Sequence, residues 1–229
     1  HGHSLKMERS DTYHGTKAAS NVVEFMQYSD ADALSKALTD GSLDMAAPVS
    51  ASTATGLNGK DGLTVKEGAT TDKVLLAYNN GTDSLLSDEQ ARKAFRYQID
   101  AAGIASAQPD AAGALGGPIS LLEPGYEDLT GLYPHDENQA GQMFSYFGAQ
   151  YLTTVNLVVP EEYRSLAETI KQQIERQPRP TVNLEVLSDE DYAKRIKDGK
   201  WELTVMSMDG TDDAGIFADP DSIFHYDHT

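Results

Sequence analysis

The sequence predicts an α/β fold in which strands and helices alternate around a parallel or mixed sheet. Three apolar segments with a period of two, at Val155–Val159, Val182–Val186 and Trp201–Val205, have the pattern of strands. The segments between them have apolar residues three and four positions apart, which is typical of amphipathic helices. Pro160 marks the start of the first helix and Ser188 caps the second. This order of elements is typical of strands joined by right-handed crossovers in one sheet.

The N-terminal part of the chain contains shorter elements. Alternating apolar residues at Leu5–Met7 and Val23–Phe25 predict two strands. The box Ser29-x-x-Asp32 predicts the start of a helix, which Gly41 ends.

Four further segments follow before residue 80. Short strands are expected at Leu43–Met45 and Leu63–Val65, separated by a loop of small polar residues at Ser50–Gly62. The continuous apolar segment Val74–Tyr78 predicts a strand that is buried on both faces.

The middle of the chain is less regular. Ser87 is expected to cap a helix with the inner face Ala91, Ala94, Phe95, Gln98 and Ile99. Residues 101–134 are rich in Ala, Gly and Pro and predict a long ordered loop. That loop has large side chains to bury, namely Leu121, Leu122, Tyr126, Leu129 and Tyr133. Another helix is expected from Asp136 to Phe147.

Composition and charge exclude several classes of protein. The 229 residues include 36 acidic and 18 basic side chains, a net charge of -18. The phosphates of nucleic acids would be repelled by this charge, so no nucleic-acid partner is expected. The absence of Cys excludes disulfides, thiolate metal sites and cysteine nucleophiles. No apolar segment reaches the ~18 residues of a membrane span, and no basic, apolar leader precedes His1, so the start is expected to be processed or cut.

The loop after the last predicted strand is the main candidate site. It contains Asp209, Thr211, Asp212 and Asp213. Three neighbouring carboxylates can hold a cation, bind a ligand's ammonium group or share a proton. The alternative is a solvated acidic loop, and the spacing does not match a calcium-binding EF-hand.

Two other side chains are candidates for ligand contact. Tyr126 lies in the irregular middle loop, and Arg164 near the start of a helix could meet an anionic group, the alternative being a solvent-facing helix charge. The six histidines are terminal or isolated, and no HExxH, GxSxG or phosphate-binding loop occurs. We therefore expect no cofactor, no metal and no enzymatic activity.

Seven segments in order along the chain resemble motifs of one known family. Leu5–Gly15 resembles a strand followed by "RNPxYWG", and Ala33–Asp44 resembles "aL.sGevD". Ala91–Asp100, with the sequence ARKAFRYQID, resembles "vRqAlnyaID", the most specific of the motifs. The other four segments are Gly117–Tyr126, Tyr133–Asp136, Asp189–Met206 and Asp219–Asp221. By these motifs the chain resembles the extracellular solute-binding proteins of family 5, the peptide/nickel class that serves ABC importers.

The resemblance implies a two-lobed, type II periplasmic-binding-protein fold, present as a fragment. Residues 1–80 would be the second portion of lobe one, and residues 81–229 most of lobe two. It also implies an extracytoplasmic protein, periplasmic or membrane-anchored, that binds oligopeptides or similar solutes by cleft closure and delivers them to a membrane permease. An incomplete sheet would expose apolar surface, so self-association is expected.

The resemblance also implies roles for the candidate residues. An aspartate after the last lobe-two strand binds the ligand's ammonium group in peptide-binding relatives, which assigns that role to one of Asp209, Asp212 and Asp213. Thr211 lies in the same loop, and Tyr126 and Arg164 would complete the ligand contacts. Two alternatives remain open at this point: a secreted hydrolase that uses an aspartate pair, and a sensory solute-binding module.

Overall fold

The computed structural model describes residues 4–146, 148–210, 214–217 and 219, in two compact units that divide after Glu67. The strands are β1 (Ser4–Glu8), β2 (Val22–Met26), β3 (Lys73–Tyr78), β4 (Thr154–Pro160), β5 (Thr181–Leu187) and β6 (Leu203–Met208). The α-helices are α1 (Ala31–Thr39), α2 (Ala51–Leu57), α3 (Glu89–Gln98), α4 (Ala101–Ser106), α5 (Glu137–Ser145), α6 (Arg164–Ile174) and α7 (Asp189–Lys197). Short 3-10 turns lie at Glu161–Tyr163 and Ala214–Phe217.

The first unit contains an antiparallel pair of strands and two helices. β1 and β2 form the two predicted strands and pair in a register that sets Leu5 opposite Phe25 and Met7 opposite Val23. These four apolar side chains lie on one face of the pair, because alternate residues of a strand point to the same side. All residues of both strands are exposed.

Three details of the first unit differ from the sequence prediction. α1 is capped by Asp30 and not by the predicted Ser29. The Asp30 carboxylate accepts from the Ala33 N–H at 2.7 Å. Leu43–Met45 and Leu63–Val65 form no strands. The segment Ser50–Gly62 is not all loop, since the Ser50 hydroxyl caps α2 by accepting from the Thr53 N–H at 3.3 Å. Three-residue alternations do not make strands without a partner strand to complete their hydrogen bonds.

The second unit is built on a four-stranded mixed sheet, in the order β3-β6-β4-β5. β4 is parallel to β5 and to β6, while β3 is antiparallel to β6. This confirms the predicted strand–helix–strand–helix–strand unit, with Ser188 as the cap of α7. The assignment of residues 1–80 and 81–229 to two lobes stays a prediction. In the structure, β3 lies before residue 80 but belongs to the sheet of the second unit.

The core of the second unit is formed by apolar side chains of β4, α3 and α6. The predicted inner face of α3 is confirmed for Ala91, Ala94, Phe95 and Gln98, all buried. α3 is capped by Asp88, one residue after the predicted Ser87. Buried members of β4 and β6 and the buried face of α6 complete the core: Val155, Leu157, Val159, Leu203, Val205, Ala167, Ile170 and Ile174.

Two predictions of burial in the second unit are wrong. β3 is an edge strand that pairs only with β6 among the described strands, and Val74 is 53% exposed. Within residues 101–134, Leu121 and Leu122 are 69% and 54% exposed. The same segment contains the short helix α4, and its remainder is irregular as predicted.

Candidate functional site

The carboxyl ends of β4, β5 and β6 lie at one edge of the sheet, because these three strands are parallel. They end at Pro160, Leu187 and Met208, respectively. β3 runs in the opposite direction, so its first residue, Lys73, pairs with Met208 at this edge. Ligands of open α/β sheets bind beyond the carboxyl ends of the strands, where loops leave the sheet. We call this side of the sheet the carboxyl edge.

Asp209 is the first residue after β6 and is exposed beyond the carboxyl edge. Gly210 follows in close contact with the chain before β3: a Cβ built there would lie 2.0 Å from Thr71 Oγ1. Any larger residue would therefore push the two segments apart, which explains glycine at this position. The other predicted members of this loop lie outside the described residues: Thr211, Asp212 and Asp213. Their grouping with Asp209 stays a prediction.

Arg164 begins α6, shortly after the end of β4, and is exposed. Its guanidinium donates two hydrogen bonds to the Glu161 carboxylate, from Nε to Oε1 and from Nη2 to Oε2, each 2.7 Å long. These hydrogen bonds from Arg164 lower the pKa of the Glu161 carboxyl. The guanidinium is thus already paired, and an anionic ligand would have to replace Glu161.

Tyr126 is half-buried at the end of a turn that begins at Ser120. Its backbone N–H donates to the Glu123 carbonyl at 3.3 Å, and the Glu123 N–H donates to the Ser120 carbonyl at 3.0 Å. The turn therefore sets the position of Tyr126 relative to Glu123.

The structure also brings together two charged residues that the sequence analysis does not single out. Lys73 Nζ donates to Glu123 Oε2, and both side chains are only 2% exposed. The same oxygen accepts from the Ser120 N–H at 2.7 Å. The pair lies at the carboxyl edge, since Lys73 faces Met208. Spacing in the sequence gives no signal for it, because the partners are 50 residues apart.

Neither a metal site nor a membrane span is found in the part of the chain that the structure describes. No three histidine, aspartate or glutamate side chains lie close enough there to hold a metal ion. His135 Nε2 lies 3.6 Å from Glu137 Oε1, and the His14 ring lies against Tyr13 with centroids 5.2 Å apart. None of the described helices is both long and apolar enough to cross a bilayer.

An open groove of about 650 Å³ lies along α7, and Leu187 at the end of β5 is among its lining residues. Its lining carries both signs of charge, with Asp191, Asp198 and Glu202 beside Lys194 and Lys200. None of the predicted ligand-binding residues lines this groove. The convergence of strand ends, and not the groove, marks the better candidate site.

Comparisons with known structures find similar folds among periplasmic binding proteins. HbpA2 from Haemophilus parasuis is 17% identical with a TM-score of 0.74, over 90% of this chain and 42% of its own. NikA from Brucella suis, solved with Fe(III)-EDTA, is 16% identical with a TM-score of 0.73, over 97% and 49% of the two chains. DppA from Helicobacter pylori, solved with the peptide STSA, is 16% identical with a TM-score of 0.70, over 94% and 42%.

These likenesses confirm the predicted fold class, and the chain spans less than half the length of each of the three structures. A search of curated protein sequences finds no match. Residues 1–225 match the family model described as "Bacterial extracellular solute-binding proteins, family 5 Middle". A match over nearly all of the chain shows the family, whose members are extracytoplasmic binding proteins. The chain therefore belongs to the bacterial extracellular solute-binding proteins of family 5.

Proposed function

We propose that this chain is part of the substrate-binding component of an ABC importer, which captures peptide-like solutes and delivers them to a membrane permease. The single observation that carries the proposal is the exposed carboxylate of Asp209, directly beyond the carboxyl edge of the sheet in a family 5 chain. Two similar structures were solved with peptides, the tetrapeptide STSA and a nonapeptide. We take the protein to be periplasmic or membrane-anchored, with residues 1–80 in lobe one and residues 81–229 in lobe two.

The proposed ligand contacts use charge to orient a peptide. An ammonium group has donors only, so a carboxylate such as Asp209 is its natural partner, and a charge-assisted hydrogen bond contributes about 1.5–3 kcal/mol. Thr211, Asp212 and Asp213 are proposed as further contacts from the same loop. Tyr126 is proposed as a further contact from the turn that begins at Ser120.

Arg164 is proposed to meet the carboxylate end of the ligand. Its pairing with Glu161 supports a simple exchange, in which one carboxylate replaces another on the same guanidinium. Both partners are more than half exposed, at 51% and 67% of their side chains, so this pair costs little to separate.

Replacing Asp209 by asparagine is expected to weaken peptide binding by about 10- to 100-fold, the loss of one charge-assisted hydrogen bond. Binding is measured by isothermal titration of the full-length protein with synthetic peptides of two to five residues. Asp212→Asn and Asp213→Asn, measured in the same way, identify which carboxylate makes the main contact. Unchanged binding in Asp209→Asn would contradict the proposed contact, and weakening in Asp212→Asn or Asp213→Asn would then assign the ammonium contact to that residue.

Asp198→Asn is the matched control, because Asp198 precedes β6 at the opposite end of the sheet and lines the groove along α7. Equal weakening by Asp198→Asn would indicate binding in the groove and contradict the proposed site. Recovery of intact peptides after incubation is measured in the same samples. Peptide cleavage that Asp→Asn substitution abolishes would favour the hydrolase alternative instead.

We also propose that the 229-residue chain self-associates through the apolar face of the β1–β2 pair. Leu5 and Phe25 are 60% and 58% exposed and directly opposite one another, so apolar surface is available for burial in a second copy. Sedimentation velocity is expected to detect dimers or larger species, and Leu5→Ser/Phe25→Ser is expected to give monomers. A monomeric unsubstituted chain would contradict this proposal.

A further inference from the structure

The buried ion pair between Lys73 and Glu123 connects the two segments that carry Asp209 and Tyr126. On one side, Lys73 begins β3 and pairs with Met208, the residue before Asp209. The close approach of Thr71 to Gly210 adds a second contact between the same two stretches of chain. Lys73 is therefore fixed relative to the point at which Asp209 leaves the sheet.

On the other side, Glu123 is the central residue of the turn that carries Tyr126. Its carboxylate accepts from the Ser120 N–H, and its carbonyl accepts from the Tyr126 N–H. Glu123 Oε2 thus accepts two hydrogen bonds, one from Ser120 within the turn and one from Lys73 in β3. The turn and the strand are held together at one atom.

Two large apolar side chains of this turn contribute little to its support. Leu121 and Leu122, which lie inside it, are largely exposed, so they do not hold the turn against the sheet. A buried ion pair is a weak source of net stability, because desolvation of two charges offsets their attraction. Separating the two groups, however, would leave each charge buried without its partner, so the pair favours the arrangement in which β3 and the turn stay in contact.

We propose that Lys73 and Glu123 are positioning residues, which hold the Tyr126 turn in a fixed relation to Asp209 at the carboxyl edge. The consequence for ligand binding rests on the proposed function, in which both Asp209 and Tyr126 contact one peptide. The ion pair then acts on the ligand through Tyr126, with no contact of its own.

The test uses the variant Lys73→Met/Glu123→Gln in the full-length protein without ligand. Both charges are removed, so no buried charge is left alone, and the side-chain oxygen of the introduced glutamine still provides an acceptor for the Ser120 N–H. The link to β3 is broken while the turn keeps its internal hydrogen bond. Lys93→Met/Glu89→Gln is the matched control, since it removes an ion pair of 2.7 Å that is partly exposed and lies on α3.

Hydrogen exchange measured by mass spectrometry is the first readout. The proposal predicts that amides of residues 117–126 exchange at least about tenfold faster in Lys73→Met/Glu123→Gln, while those of β4 and β5 are unchanged. The control is expected to match the unsubstituted protein in both regions. Unchanged exchange at residues 117–126 would overturn the positioning role. An equal increase throughout the sheet would also overturn it, because it indicates a general loss of stability.

Peptide binding is the second readout, with a fixed pool of synthetic tripeptides and mass spectrometry of those retained. Tyr126→Ala is measured in the unsubstituted and in the Lys73→Met/Glu123→Gln background. The proposal predicts that the tyrosine substitution loses most of its effect in the second background, because Tyr126 is no longer held in place. Equal fold-changes in both backgrounds would overturn the proposal while leaving the proposed function intact. If the unsubstituted protein retains no tripeptide, the proposed function is overturned for such peptides, and hydrogen exchange alone decides the positioning role.

Discussion

Replacing Phe95 by alanine is expected to lower the free energy of unfolding by about 3–5 kcal/mol. Phe95 is fully buried on the inner face of α3, and its ring lies edge-on to Phe144 with centroids 5.2 Å apart. The ring of Tyr78 in β3 also lies near Phe95, with centroids 6.3 Å apart. The substitution would leave a cavity between α3, α5 and the sheet, because three elements are fixed around the ring and cannot close over the space. Urea unfolding of the 229-residue chain, followed by circular dichroism, measures the loss.

Tyr146→Ala is the control for this prediction. Tyr146 is an aromatic residue of similar size just after α5, but it is 75% exposed. Its replacement is expected to change the free energy of unfolding by less than about 1 kcal/mol. Similar losses for the two variants would contradict the assignment of Phe95 to the core.

The inner face of α3 can be predicted from the sequence because helical periodicity is a local property. Ala91, Ala94, Phe95 and Gln98 are three or four residues apart, so one face of any helix here contains them all. What Gln98 contacts is not local. Its Nε2 donates to the Gln173 carbonyl at 2.6 Å, 75 residues away, and no spacing rule predicts such a partner.

The wrong strand predictions have the same physical origin. A strand is stabilised by its neighbour, so alternation alone does not decide whether Leu43–Met45 or Leu63–Val65 pairs with anything. The continuous apolar segment in β3 predicts burial on both faces, but the order β3-β6-β4-β5 leaves it at an edge. Strand order depends on contacts between distant segments and cannot be derived from one segment's composition.

The candidate site can likewise be predicted from the sequence only where it depends on local patterns. Local alternation predicts the last strand over Trp201–Val205, whereas β6 extends from Leu203 to Met208. Asp209 therefore follows the strand directly, and its role stays a prediction. The pairing of Arg164 with Glu161, three residues before it, is a local contact that the spacing in the sequence allows. The pair of Lys73 and Glu123 requires the complete fold, because only the fold brings the Ser120–Tyr126 turn to the carboxyl edge.

Lys73→Met is expected to lower the free energy of unfolding by about 3–5 kcal/mol, since it leaves the buried Glu123 carboxylate without its cation. Methionine fills nearly the same volume as the lysine stem, so the loss comes from charge and not from a cavity. The measurement is again urea unfolding of the 229-residue chain. Lys93→Met is the control: its partner Glu89 is 59% exposed, and water can replace the lysine at a cost below about 1 kcal/mol.

Adding Glu123→Leu to Lys73→Met is expected to recover part of this stability, because the double variant no longer buries a carboxylate without its cation. Recovery should be incomplete. The Ser120 N–H loses its acceptor in the double variant, which costs about 1–3 kcal/mol for a buried donor. The double variant should therefore lie between the unsubstituted chain and Lys73→Met. A double variant less stable than Lys73→Met alone would mean that Glu123 stabilises the turn mainly through Ser120, and that its charge is not balanced by Lys73.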